Sequence, residues 1–198
     1  MRKRVLCLIL ALACVLSYLP MSALAATSLP NGIYLKQETG NSCTLASATM
    51  MIRARMYLSG NMDWDEVAES MVRQVAWGGG GLQWNWTYTY NGSSVRVGRR
   101  SFESDGVDGT TISELKSILD AHPEGIVFFC GNRNTHAVFL TDYEGDTFYC
   151  ADPAGGYSGK RIKLSASLLG ARFGSQASIL QEVSSYWYVA SYNIEPTG

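Results

Sequence analysis

The sequence predicts an α+β fold in which helices dominate the first half and an antiparallel sheet the second. Two observations carry this. Helix-period apolar patterning runs to about Ala121, and from Gly125 onward short β-branched and aromatic runs replace it. An Asn91-Gly92 pair between alternating aromatic residues adds a β-hairpin among the helices. No internal repeat, heptad pattern or low-complexity linker divides the chain, so one domain is expected.

Arg2, Lys3 and Arg4 precede an apolar run from Val5 to Leu19 that ends near Ala23-Leu24-Ala25. This is the pattern of a secretory signal peptide, residues 1–25, with cleavage after Ala25. Ser17 and Pro20 interrupt the run, and no second long apolar stretch follows. A secreted, extracellular product with no stable membrane insertion is therefore expected. The domain proper is expected over residues 26–192, with 193–198 as a frayed tail. Of the 16 Lys and Arg residues, three lie in the leader, which leaves 13 against 17 Asp and Glu. That negative balance argues against nucleic acid as a partner.

The first helix is expected to start at Cys43, capped by Asn41 or Ser42, and to end at Leu58 before Ser59-Gly60. Leu45, Ala48, Ile52 and Met56 form one stripe, while Ala46, Met50, Met51 and Leu58 occupy other faces, as in a helix buried on all sides. Asp63-Trp64-Asp65-Glu66 reads as a capping box for a second helix reaching Val75. Thr111-Ile112-Ser113-Glu114 repeats the signature for a third, ending at Ala121. Strands are expected over 126–130, 137–141, 147–151, 161–164 and 186–191, with a short helix over 165–170.

Beyond the leader remain Cys43, Cys130 and Cys150, an odd number in an oxidising compartment, so at least one thiol stays unpaired. Cys43 stands at a helix start, where unpaired backbone N–H groups and the helix dipole favour a thiolate. Its bland alternative is an inert buried cysteine. A cysteine nucleophile needs a base, and the chain offers His122 and His136. His122 precedes Pro123 after a helix, where a solvated role suffices. His136 opens a strand. A three-residue loop at Asp142 to Asp146 with Gly145 left-handed would pair His136 directly with Asp152, within reach for an imidazole–carboxylate hydrogen bond. A two-residue Glu144-Gly145 turn would put them on opposite faces. Asp152 also fits a plain Asp-Pro turn start.

Cys130 and Cys150 fit either a disulfide or, with Cys43 and His136, a zinc site. Neither suits strands held apart by the one bearing His136, so no metal and no cofactor is expected. Trp84, Trp86, Tyr88 and Tyr90 share a hairpin face with Val95 and Val97, which is either core or an aromatic cleft wall with Gly78 to Gly81 as the hinge of a flap. Arg99 and Arg100 read as a solvated pair.

Gln37 ahead of Cys43 and its helix, then His136 at a strand start, then Asp152-Pro153 after a hairpin, resembles the papain-like cysteine peptidases of the bacteriocin double-glycine leader peptidase type. The resemblance implies a papain-like fold, with a buried nucleophile helix packed on the sheet. It implies Cys43 as nucleophile, His136 as base and acid, Asp152 as its orienting partner and Gln37 as an oxyanion-hole donor. Cys43-Thr44-Leu45 stands where many members have Cys-Gly-Pro, a departure that bears on substrate rather than class. A peptide or protein substrate is expected. Cell-wall amide hydrolysis or acyl transfer at the same site, and a non-catalytic binding module, are the rival readings.

Overall fold

The computed structural model describes residues 29–102, 109–131 and 135–197; the expected signal peptide lies outside them. Helix α1 spans Cys43–Leu58, as the sequence predicts. Twelve of its residues are buried, covering every face, so the helix is held by surroundings on all sides rather than by one stripe. Ser42 is its N-cap, and Ser59 with left-handed Gly60 (φ 76°) ends it.

The second helix is broken, contrary to expectation. Met62–Glu66 is a single 3₁₀ turn, and α2 starts only at Glu69, running to Ala76. The Asn61 side chain, not Asp63, caps the turn by accepting from the Asp63 N–H at 3.0 Å. Arg53 on α1 then donates to the carbonyls of Asp65 and Val67, groups that a continuous helix would have consumed. Val67 is extended and fully buried. Tertiary bonds and one apolar anchor outweigh the local helical signal here.

Trp77–Gly78 (β1) and Gly81–Leu82 (β2) form a small hairpin that the sequence reading left unassigned. Its turn places Gly79 at φ 60° and Gly80 at φ 84°, conformations open to glycine without strain. Strands β3 (Trp86–Tyr90) and β4 (Ser93–Ser101) flank Asn91 and Gly92, both at positive φ, so the expected Asn-Gly hairpin is present. Trp86, Tyr88, Val95 and Val97 face the core; Trp84 is apart from them and 61% exposed. Helix α3 (Ile112–Ala121) opens on Thr111, whose hydroxyl accepts from the Glu114 N–H at 3.1 Å.

Five further strands follow: β5 (Ile126–Cys130), β6 (His136–Glu144), β7 (Thr147–Ala151), β8 (Arg161–Lys163) and β9 (Ser185–Asn193). Two short helices, α4 (Leu168–Phe173) and the unforeseen α5 (Gln176–Glu182), lie between β8 and β9. The large sheet has the order β3-β4-β9-β5-β6-β7-β8, with every neighbouring pair antiparallel. The last strand thus sits in the middle and joins the early hairpin to the later meander.

Period-two alternation splits the apolar residues of these strands between two cores. Val127, Ala137, Phe139 and Trp187 pack with Leu45, Ala48 and Ile52 of α1. Phe128, Val138 and Leu140 pack on the other side with Leu115 and Leu119 of α3 and Ile179 of α5. Helices therefore cover both faces of the sheet, where the chain order alone had suggested helices first and sheet after. The tail is anchored rather than frayed: Asn61 donates to the Glu195 carbonyl at 2.7 Å, and the Thr197 hydroxyl accepts from the Met62 N–H at 2.8 Å.

Candidate active site

Cys43 is the first residue of α1, and the only described cysteine with appreciable exposure. Its thiol shares a cleft with the His136 imidazole, close enough for that ring and the backbone N–H groups of Ala137 and Thr44 to act on its ionisation. His136, at the start of β6, is 3% exposed. Its Nε2 lies 2.8 Å from Asp152 Oδ1, which leaves Nδ1 for the thiol. Asp152 is fully buried. It also accepts from the Ala154 N–H at 2.9 Å (Oδ1) and from the N–H of Leu168, first residue of α4, at 2.7 Å (Oδ2). The structure thus brings together three of the four residues singled out in the sequence, in one cluster.

The route to that juxtaposition differs from the expected one. Glu144 pairs with Thr147 across a two-residue Gly145-Asp146 turn, not a three-residue loop. This register alone would place His136 and Asp152 on opposite faces of the sheet. A bulge between Leu140 and Asp142 adds Thr141 to β6, and beyond it Phe139 pairs with Ala151. The extra residue restores the parity, so the two side chains again share a face, offset diagonally rather than directly opposed. The bulge is held locally, since the Thr141 hydroxyl donates to Asp142 Oδ1 at 2.5 Å.

Burial by itself would raise the Cys43 pKa, but the His136 hydrogen bond and charge, with the two backbone donors, bring it below the ordinary 9.0. Burial likewise opposes charge on His136, yet its hydrogen bonds to Asp152 and Cys43 push its pKa from 6.5 to about 9. Both shifts favour a thiolate–imidazolium pair over the neutral pair. Cys150 is the contrast: full burial drives its pKa well above 9.0. Cys130 and Cys150 are buried, on strands separated by β6. No cluster of metal-ligating side chains occurs among the described residues.

Gln37 lies on the same cleft as Cys43 and His136, in a lobe of about 430 Å³. Its backbone N–H donates to the Pro153 carbonyl at 3.0 Å, which ties this segment to the residue after Asp152. Its Nε2 donates to the Thr39 carbonyl at 2.7 Å, and the second N–H of that amide remains available. A second lobe of about 240 Å³ also borders Cys43, walled by Trp77, Leu82, Phe129 and Trp187. Gly80 of the β1–β2 turn borders both lobes, so the glycine run is at the cleft while most of the hairpin aromatics are in the core.

His122 is elsewhere. It caps α3, with Nδ1 3.4 Å from Glu124 Oε1, beside a cavity of about 480 Å³ shared with Arg55 and Tyr192. Arg55 is twelve residues along α1 from Cys43, about 18 Å at the helical rise, so this larger cavity is separate from the thiol. Arg99 and Arg100, expected as a solvated pair, diverge. Arg100 is exposed over the Tyr188 ring, whereas Arg99 lines the smaller lobe between Trp84 and Trp187. The sequence reading missed Arg99 because its pairing strand, β9, is distant in the chain.

No described helix is long and apolar enough to cross a membrane. Searches of curated proteins and of solved structures give no match. The model of the Peptidase_C39 like family matches residues 31–174, a span that holds Cys43, His136 and Asp152. By that match, covering well over half of its length, the chain belongs to the Peptidase_C39 like family.

Proposed function

We propose that the protein is an exported cysteine peptidase of papain-like architecture. The observation that carries this is the continuous contact from the Cys43 thiol through His136 to buried Asp152, at the N-terminus of a helix and open to a cleft. In the proposed cycle the Cys43 thiolate attacks the scissile carbonyl carbon. The resulting oxyanion is met by the Cys43 backbone N–H and the free N–H of Gln37. Collapse forms the thioester and breaks the C–N bond, with the His136 Nδ1 proton passing to the leaving amine. His136, now neutral, takes a proton from water as it attacks the thioester, and keeps that proton as the Cys43 thiolate departs, which restores the starting ion pair. Asp152 keeps the ring oriented and supports its positive charge throughout. Export rests on the Arg2 to Ala25 leader pattern.

A peptide-derived electrophile aimed at thiols tests the reading directly. Native protein is expected to be modified at Cys43, with Cys130 and Cys150 labelled only after unfolding, as read by mass mapping of the adducts. Equal modification of all three only on denaturation would reject an activated nucleophile.

The pH dependence follows from the two shifts. Raising pH through about 9 removes the His136 proton and with it the general acid, so kcat/KM is expected to decline there. On the acid side the rate falls as the thiolate is protonated, below the ordinary thiol value of 9.0. Because the groups are coupled, both limbs belong to the pair. Rates between pH 5 and 10.5 check this. A rate that climbs through pH 10 would indicate an unassisted thiol.

A further inference from the structure

Among the described residues, the smaller lobe beside Cys43 contains a cation with no carboxylate against it. Arg99 stands opposite Trp187 in the β4–β9 pairing, so the sheet fixes its position at the lobe. Its guanidinium lies 4.6 Å from the Trp187 ring and 4.4 Å from that of Trp84, between two indoles. Its Nη2 donates to the Ser185 hydroxyl at 2.8 Å. Nε is buried without a hydrogen-bond partner among the described residues. No described acidic residue lines the lobe, and no described carboxylate pairs with Arg99. Burial lowers its pKa, with no neighbouring charge to offset that effect.

An arginine partly desolvated between aromatic faces is well matched by a carboxylate, whose two oxygens fit the guanidinium edge. We propose that this lobe binds a peptide carboxylate, so that peptides carrying one near the scissile bond are the preferred substrates. The inference rests on the cysteine-peptidase reading and adds substrate class to it. An acidic side chain and a free C-terminus present the same chemistry. The remaining walls, Trp77, Leu82 and Phe129, suit the apolar part of such a group.

The test begins with a peptide library digested by the purified protein, with cleavage sites read by mass spectrometry. From the best sequence, matched peptides are made with Glu or Gln at each flanking position and with a free or amidated C-terminus. The expected result is a kcat/KM about tenfold or more higher for the carboxylate member, the size of a charge-assisted contact. A gain in the internal Glu pair identifies a side chain as the source; a gain only in the free-terminus pair identifies the terminus. In Arg99→Gln the ratio is expected to fall to about 2 or less, with Arg99→Lys intermediate because it keeps the charge but not the fork. The wild-type comparison stands even if a variant fails to fold. Turnover of charged and neutral peptides at equal rates would overturn this inference alone. Absence of both turnover and Cys43 labelling would overturn the peptidase reading and the inference with it.

Discussion

Replacing Cys43 with Ala is expected to reduce peptide hydrolysis by about 10⁴-fold or more, because in the proposed cycle the lost atom forms the covalent bond and no other described thiol is placed to substitute for it. The neighbouring thiols are no substitute: Cys130 and Cys150 are buried on strands at either side of β6. Stability is expected to change little, by about 1 kcal/mol or less, since Cys43 is only partly buried and alanine suits a first helical turn. Cys43→Ser should be nearly as inactive, because a hydroxyl in this setting does not ionise as the thiol does. Turnover of one matched peptide, alongside thermal unfolding of each variant, separates chemistry from folding. Activity within tenfold of wild type in Cys43→Ala would end the assignment of the nucleophile.

Asp152 carries the second large effect, and on two quantities at once. Its carboxylate accepts from His136, Ala154 and Leu168, so it orients the proposed base and also fastens the start of α4 to the end of β7. Asp152→Ala leaves these donors without their acceptor, an expected cost of about 2–4 kcal/mol, seen as a lowered denaturation midpoint. Asp152→Asn keeps the shape and an acceptor oxygen but removes the charge. Its expected loss is about 10²–10⁴-fold, mainly in kcat. The sign of the accompanying pH change is fixed: Asp152 raises the His136 pKa, so the alkaline limb near pH 9 is expected to move to lower pH. An unchanged limb in a folded Asp152→Asn variant would show that the carboxylate holds structure only.

Much of the local structure was legible from residue order. The bounds of α1, the Thr111 cap of α3, the Asn91-Gly92 turn and strands β5 and β7 depend on neighbours within a few positions, and the structure agrees with each. The second helix failed the same kind of reading because its rival interactions come from Arg53 on α1, outside any local window. Hairpin β1–β2 is only two residues on each strand, too short for a periodic signal.

For the candidate site, the types of residue and their order along the chain pointed to Cys43, His136 and Asp152, and the family resemblance added Gln37. The His136–Asp152 pairing was anticipated from a hairpin register that the molecule does not use. The displaced turn and the Thr141 bulge each reverse the parity of the pairing, and the parity that they preserve together is what the contact needs. Bulges respond to packing on both faces of a sheet, so the sequence of the hairpin alone leaves this one undetermined.

By itself, then, the sequence pointed to the groups proposed to do the chemistry: one thiol at a helix start, one imidazole at a strand start, and a carboxylate before a proline. Those are properties of short segments, set by capping, turn and strand preferences. The tertiary structure alone decided that β9 enters the middle of the sheet, that helices cover both of its faces, and that Arg99 stands between two tryptophans beside the thiol. Each of these unites segments far apart in the chain, where burial of apolar surface and antiparallel pairing select the partner and no local preference can.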